Sequence, residues 1–252
     1  MTGPAVPRPR RHDSISEKIK EMIVAEAWKP GERLPPEREL MQMFGASKSS
    51  VREAISALAA QGLVRSRTGP GGGLFLTGIA PGRAMELLSN LFVFAPPSIA
   101  EIYAVRRELE PEMAAAVAET IDAAGFARLE AVMRLYDAPP KDSAEEYAQR
   151  LAELDFHSVL AELCPNRVLG FFCGFLQTML REMAVCRRIY DAPNPALRDT
   201  ALHYQLNLLR ALRARDGAAA RAIMREHMLA AQAYMERVEA EVRPRFLRVR
   251  RE

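Results

Sequence analysis

"PGERLPPERELMQMFGASKSSVREAISALAAQGLV" (residues 30–64) decides how the front of the chain folds. Pro30-Gly31 is turn chemistry, and Pro35-Pro36 stands at a helix start, where proline is tolerated. The short helix that follows ends at Gly45, a natural helix stop. Ser47 is a good N-cap for the next helix, which runs to about Gln61-Gly62. Within that helix Val51, Ala54, Ile55 and Leu58 share one stripe and pack inward. Lys48, Ser49, Arg52 and Ser56 share another and face out.

Upstream, Ile15, Ile19, Met22 and Ile23 recur at helical spacing and predict a helix over 14–27. Residues 1–12 read as a flexible basic arm. Downstream, "LVRSR" (63–67) and "LFLT" (74–77) are β-prone, and "TGPGGG" (68–73) between them reads as a hairpin loop. Three helices followed by a hairpin make a winged helix-turn-helix over 13–77. "GIAPG" (78–82) is the linker. From 83 to 243 the pattern is helical throughout, over roughly 83–94, 98–118, 122–137, 143–163, 166–190, 196–214 and 217–241. The breaks are short, which predicts antiparallel neighbours in a bundle. Residues 244–252 form a basic tail. The expected fold class is mainly α: an N-terminal winged helix-turn-helix (three helices plus a β-hairpin) and a C-terminal all-α antiparallel helical bundle.

The chain has 252 residues, 49% of them hydrophobic, enough for a sizeable core in one large domain or two ordinary ones. The net charge of +3 is unevenly spread. Residues 1–80 hold twelve Lys/Arg against eight Asp/Glu, and residues 242–252 hold five Arg against one Glu, so the stretch between is acidic. A basic front and an acidic body imply different partners. Cys164, Cys173 and Cys186 are odd in number and lie in no CxxC pair. That argues against a disulfide framework or zinc ribbon and for a reducing, cytoplasmic compartment. "MTGPAVPRPRRH" lacks the apolar centre of a signal peptide, and the longest apolar run, "LLSNLFVFA" (87–95), is too short to span a bilayer. No membrane partner is expected. The glycine-rich loop lacks the Gly-Lys-Ser/Thr of a phosphate-binding loop, and neither HExxH nor a nucleophile elbow occurs. The expectation is a protein that is not an enzyme.

The outward stripe of 48–56 fits DNA. Lysine and arginine neutralise phosphate, arginine can fork onto guanine, and small serines let a helix N-terminus approach the backbone. An amphipathic surface helix fits the stripe as well. The context distinguishes the two, because residues 30–64 closely resemble the DNA-binding domain of GntR-type bacterial repressors. The shared pattern is a PG turn, an LPxEreL stretch, a serine-arginine pair and VReAl..L...Glv. That resemblance implies DNA contacts by Arg38, Ser47, Lys48, Ser49, Ser50 and Arg52, with Thr68 and Gly69 at a wing tip near the minor groove. The chain departs from the pattern in having Pro36 for the usual serine, Lys48 for the usual arginine and a longer wing loop. Lysine keeps the charge but loses the planar fork.

Histidines mark the second half. Glu153 and His157 are i and i+4 and share a helix face, while Asp155 points elsewhere. His203 lies thirteen residues before Asp216 and His227 eleven after it, across the "RDG" break. At about 1.5 Å per residue these are climbs of roughly 20 and 16 Å on two arms of a hairpin, so the two rings can sit at similar height. One carboxylate and three imidazoles from three helices would make a tetradentate site for a divalent ion. Surface histidines or satisfied core histidines fit the same spacing.

"EIYAVRRELEPEMAAAVAE" (101–119), "FHSVLAELCPNRVL" (156–169) and "LHYQLNLLRALRARDGAAARAIMREHM" (202–228) resemble the FCD ligand-binding domain of FadR-type GntR regulators. The resemblance implies that Glu153, His157, His203 and His227 hold a divalent metal, with Glu153 standing where the family has aspartate. Zn²⁺ is the first expectation, with Ni²⁺ and Mn²⁺ as alternatives. The resemblance also implies a small carboxylate effector beside the metal, with Arg106 and Asn166 in its pocket. Arg106 could equally pair with Glu110 at i+4, and Asn166 could cap a helix.

The expected function is a homodimeric repressor on a palindromic double-stranded operator, released when a small organic acid binds near the metal. Two rivals stand beside it. One is a metal-dependent enzyme fused to a DNA-binding head, and the other is a repressor that senses the metal itself. The twelve methionines, among them Met179, Met183, Met224 and Met228, read as core.

Overall fold

The computed structural model describes residues 11–249 except 137, 139 and 192–194. All but the last two residues of the basic arm read over 1–12 lie outside the described residues, as does the very end of the tail. The chain divides into two compact units between Ala84 and Met85, close to the 78–82 stretch expected to be a linker.

The first unit contains α1 (Arg11–Ala25), α2 (Glu37–Phe44), α3 (Lys48–Ala60), β1 (Val64–Arg67) and β2 (Gly73–Leu76). Its core joins Ile15 and Ile19 of α1, Leu40 of α2, the Val51-Ala54-Ile55-Leu58 stripe of α3, and Val64, Leu74 and Leu76 of the hairpin. The inward stripe of α3 is thus the one its spacing predicts. Gly45 ends α2 in the left-handed region at φ 58°, ψ 37°. Ser47 caps α3, its side chain accepting from the Ser50 N–H at 3.2 Å. Pro36 occupies the cap position of α2 and offers no side-chain acceptor, the local consequence of having proline there.

The hairpin is antiparallel, with Val64 opposite Leu76 and Arg67 opposite Gly73. A third segment, read from sequence only as a turn, joins β2 on its other edge. Leu34 N–H donates to the Leu74 carbonyl and Leu76 N–H to the Glu32 carbonyl, both at 2.8 Å. Buried Leu34 holds this segment in place, an anchor too short to register as a strand pattern. In the loop, a Cβ on Gly72 would stand 2.5 Å from the Arg67 carbonyl oxygen, so only glycine fits there.

The second unit is helical among its described residues. α4 (Pro81–Ser89) leads into α5 (Ile99–Thr120), α6 (Ala123–Met133), α7 (Ser143–Leu163), α8 (Arg167–Glu182), α9 (Ala184–Asp191), α10 (Pro195–Arg213) and α11 (Gly217–Val249). Helix starts are written in the sequence: Ser98 and Glu101 form a reciprocal capping box, and Asp122, Asp142 and Asn166 cap the helices that follow them. At the turn between α10 and α11, Arg215 adopts φ 53°. Its guanidinium donates to the carbonyls of Glu119 at 2.7 Å and Ile121 at 3.2 Å, satisfying the end of α5.

α5 packs chiefly against α11 and α8, and α7 lies against α8 and α6. One cluster buries Met113, Val117, Leu129, Phe156, Leu160, Leu208, Leu212, Met224 and Met228. A second gathers Ile102, Leu154, Leu180, Cys186, Ile189 and Met235. The helix expected over 166–190 is broken at Met183, which leaves the helical region at φ −62°, ψ 125°. Neither glycine nor proline marks the break. The bend lets Cys186 and Ile189 of α9 reach the second cluster, so packing rather than local propensity sets it. α11 also continues through the start of the stretch read as a basic tail. Among the described residues no helix is long and apolar enough to cross a membrane.

Candidate functional site

The outward face of α3 carries Lys48, Ser49, Arg52 and Ser56, all exposed, and Arg38 is exposed on α2. The Ser47 hydroxyl lies 2.9 Å from the hydroxyls of both Ser49 and Ser50, gathering three small polar groups at the N-terminus of α3. Helix N-terminal N–H groups attract anions, so this end is pre-set for a phosphate. Arg52 leans toward Glu37 at 3.4 Å across a solvated gap. An exposed pair of this kind is worth about 0–1 kcal/mol and gives way readily to a phosphate. Thr68 and Gly69 are exposed in the hairpin loop. Sequence reading missed three cations beside that loop. Arg65 and Arg67 are exposed on β1, with the Arg67 guanidinium 4.7 Å from the centre of the Phe75 ring, and Arg33 is bridged to Phe75 from the other edge.

The second unit holds a buried polar cluster built from four helices. α5 contributes Arg106 and Glu110, which are 2% and 0% exposed. α7 contributes Glu153 and His157, α8 contributes Gln177, and α11 contributes His227. Glu110 is the hub. Its Oε1 accepts from Arg106 Nε and from Gln177 Nε2 at 2.7 Å, while its Oε2 binds His157 Nδ1. Burial pushes the Glu110 carboxyl up, but Arg106 and His157 outweigh it and hold the group down at about 2. A carboxylate on Nδ1 fixes the tautomer of His157: the proton sits on Nδ1 and Nε2 is left as a lone pair.

That Nε2 lies 3.2 Å from His227 Nε2, which in turn lies 3.3 Å from Glu153 Oε1. Burial lowers the His227 imidazole below its ordinary value, against the pull of Glu153, so the ring is neutral. Glu153 is raised by burial and lowered further by His227, leaving it below the usual carboxylate range. Two imidazoles and one carboxylate thus present ligand atoms within 4.8 Å of one another. Two donors about 2.0–2.1 Å from a tetrahedral ion stand about 3.3 Å apart, so the observed separations suit a shared divalent cation. Beside the cluster, Tyr103, Arg106, Glu153, Leu154, His157, Ala231, Tyr234 and Met235 line a cavity of about 20 Å³. That is room for about one water.

With this geometry in hand, two family models match the chain. "Bacterial regulatory proteins, gntR family" covers residues 11–73 and "FCD domain" covers residues 101–230. The chain belongs to the GntR family of bacterial regulatory proteins. It is 30% identical to the HTH-type transcriptional regulator RmpR of Mycobacterium gastri over 213 residues, spanning 80% of this chain and 72% of that one. It is 27% identical to the HTH-type transcriptional repressor NanR of Edwardsiella tarda, spanning 88% of this chain and 84% of the relative. A solved Streptococcus agalactiae GntR structure shares the fold with a TM-score of 0.63 and 21% identity, covering 88% of this chain and 99% of that one. The protein is therefore a DNA-binding transcriptional regulator of the GntR family, with an FCD domain behind its winged helix-turn-helix.

The residues singled out from the sequence of this GntR regulator fare unequally. Glu153, His157 and His227 come together. His203 does not join them: it is exposed, and Asn207 Nδ2 lies 3.0 Å from its Nε2. One residue along α10 turns the side chain by about 100°, and the inward direction falls to Tyr204 and Gln205. The Tyr204 ring stacks on His227 with centroids 3.5 Å apart, and its hydroxyl donates to His157 Nε2 at 3.1 Å. Burial, with Glu110 and Glu153 nearby, keeps that phenol protonated. Arg106 does line the cavity, but it is tied to Glu110 and sits 4.6 Å from the Tyr103 ring centre. The i+4 pair read as an alternative is therefore real, and buried. Asn166 is exposed, caps α8 through Val168 and Leu169, and is not among the cavity's described lining residues.

Glu110, Gln177 and Tyr204 escaped the sequence reading. A glutamate four residues after Arg106 is visible there, but only as that residue's partner. Nothing in sequence spacing says that it also orients a histidine on another helix. The three cysteines are free and buried, and burial raises their thiols, so they pack as small hydrophobes.

Proposed function

We propose that this GntR-family regulator is a repressor that binds a palindromic operator as a homodimer and is controlled at the buried cluster of its FCD domain. Arg38, Ser47, Lys48, Ser49, Ser50 and Arg52 would meet the major groove and its phosphates. Thr68 and Gly69 would approach the minor groove, with Arg33, Arg65 and Arg67 close behind. One recognition helix spans only a half-site, so two copies are needed for a palindrome. The relative NanR is named a repressor, which supports that sign of control.

A divalent cation would be held by Glu153, His157 and His227, and the observation that carries this reading is the Glu110–His157 bond. A carboxylate that pins Nδ1 and aims the Nε2 lone pair at a second imidazole is the usual support for a metal-bound histidine. The ion would supply positive charge and open coordination positions for an anionic ligand. Arg106, at the wall of the adjoining cavity, adds a permanent cation suited to a small carboxylate. The cavity as it stands is smaller than any organic acid. Such an effector would bind only a rearranged bundle in which Tyr234 and Met235 of α11 give way. A ligand that binds one arrangement and not another shifts the balance between them, as control of DNA affinity requires.

The small cavity also favours a second reading, in which the ion alone is the signal. Gel shifts of the full chain on its own promoter region separate the two. In the effector reading, operator affinity at saturating metal falls as a small carboxylate is added, and metal alone changes little. Affinity that follows metal concentration without any acid would favour the metal sensor. Tighter binding with the acid would overturn release as the direction of control.

A further inference from the structure

α10 brings no histidine to the cluster, but it holds an unexplained buried amide. Gln205 is fully buried, and neither its amide oxygen nor its amide nitrogen has a hydrogen-bond partner among the described residues. Leaving a buried polar group unsatisfied costs about 1–3 kcal/mol, and an ion is one of the partners that can remove that cost. Gln205 lies eleven residues before Asp216, and His227 eleven residues after it. At about 1.5 Å per residue both stand about 16 Å from the turn, at equal height on the two arms of the hairpin. His203 stands one half-turn further out and about 200° around the helix. Tyr204, next to Gln205, already touches both His157 and His227. α10 packs on α11, α5 and α7, the helices that carry His227, Glu110, Glu153 and His157.

We propose that the Gln205 amide oxygen is the fourth protein donor to the cation held by Glu153, His157 and His227, where a third imidazole was expected. The inference rests on the metal reading above and deepens it. The donor set then holds two imidazole nitrogens, one carboxylate oxygen and one amide oxygen. Replacing an imidazole by a carbonyl oxygen moves the preference away from Zn²⁺ and Ni²⁺ and toward Mn²⁺, because carboxylate and carbonyl donors suit harder ions.

The test is calorimetric titration of Mn²⁺ and Zn²⁺ into metal-stripped, full-length protein, with melting curves alongside. Gln205→Leu removes the orphaned amide from an apolar helix face. It is expected to raise the melting temperature of the ion-free protein and to weaken Mn²⁺ binding tenfold or more. Gln205→His is expected to raise the Zn²⁺-to-Mn²⁺ affinity ratio tenfold or more. If Gln205→Leu binds Mn²⁺ like the wild type, or melts lower or fails to fold without metal, the amide is structural and the donor role is overturned. An unchanged ratio in Gln205→His does the same. In each of those cases, loss of binding in His227→Ala leaves the metal reading standing. A wild-type protein that binds neither ion removes the metal reading and this inference together.

Discussion

The Nε2 atoms of His157 and His227 face each other at 3.2 Å, their rings within 22° of parallel. His157 Nδ1 faces Glu110 and its Nε2 meets the Tyr204 hydroxyl at 3.1 Å, while His227 Nε2 lies 3.3 Å from Glu153 Oε1. Ligand atoms of Glu153, His157 and His227 converge within 4.8 Å of one another, and one cation between them would engage all three. Divalent metal is therefore expected to raise the melting temperature of the metal-stripped protein. An ion at a hundred times its dissociation constant contributes about 2.7 kcal/mol. For a chain of this size each kcal/mol moves the midpoint by about 2–4 °C. His157→Ala and Glu153→Ala should abolish the rise, and His203→Ala should leave it intact. A rise that survives in His157→Ala would place the ion elsewhere.

Glu110 anchors Arg106, His157 and Gln177 at once, so its loss should be felt beyond its own hydrogen bonds. Breaking a buried pair by removing one partner costs about 3–5 kcal/mol, because the other charge is left buried. Glu110→Gln is expected to lower the unfolding free energy by that order and to weaken metal binding. The pH dependence follows from the same residue. Its folded-state pKa of about 2 lies below the ordinary 4.5, so its contribution is complete above about 4.5 and disappears as the pH falls toward 2. Acid titration of the ion-free wild type should show that loss between these limits. A Glu110→Gln curve of the same slope there would show that Glu110 is not its source.

Most of the fold could be read from local signals. The α3 stripe, the Gly45 stop, the Ser47 cap and the "RDG" break are each decided by residues within a turn or two of one another. The cluster could be read only in part. Glu153 and His157 share a helix face by spacing, and hairpin arithmetic brings α10 and α11 level. The arithmetic fixes height along a helix but not rotation about it. That is why His203, only two residues from Gln205, is expected in an interior that its side chain does not face. Arg106 misleads in the opposite way, since an i+4 partner ordinarily marks a surface pair and here marks the centre of the bundle. The bend at Met183 and the Glu32–Leu34 pairing with β2 depend on packing partners distant in sequence.

The wing offers a test that leaves the helices alone. A methyl group on Gly72 would collide with the Arg67 and Gly69 carbonyl oxygens at 2.5 and 2.8 Å, both of them backbone atoms. Gly72→Ala should therefore distort the loop that carries Thr68 and Gly69. The expected result is weaker operator binding with unchanged helical circular dichroism and unchanged metal-induced stabilisation. Unimpaired affinity in this variant would remove the wing from the DNA interface.

The two cations of α3 separate charge from shape. Removing one cation from a DNA phosphate reduces the steepness of log affinity against log salt by about 0.9. Lys48→Ala is expected to weaken operator and random DNA alike and to lower the salt slope by about that amount. Lys48→Arg keeps the charge and restores a planar fork able to grip guanine through two hydrogen bonds, worth about 1–3 kcal/mol of discrimination. It should change which operator sequences are preferred while leaving the salt slope alone. Among the described residues Arg52 is held by an exposed ion pair with Glu37, so Glu37→Gln frees it and should tighten binding slightly. Competition gel shifts across a salt series read all three effects. A Lys48→Ala variant with wild-type slope and affinity would show that α3 is not the helix that enters the groove.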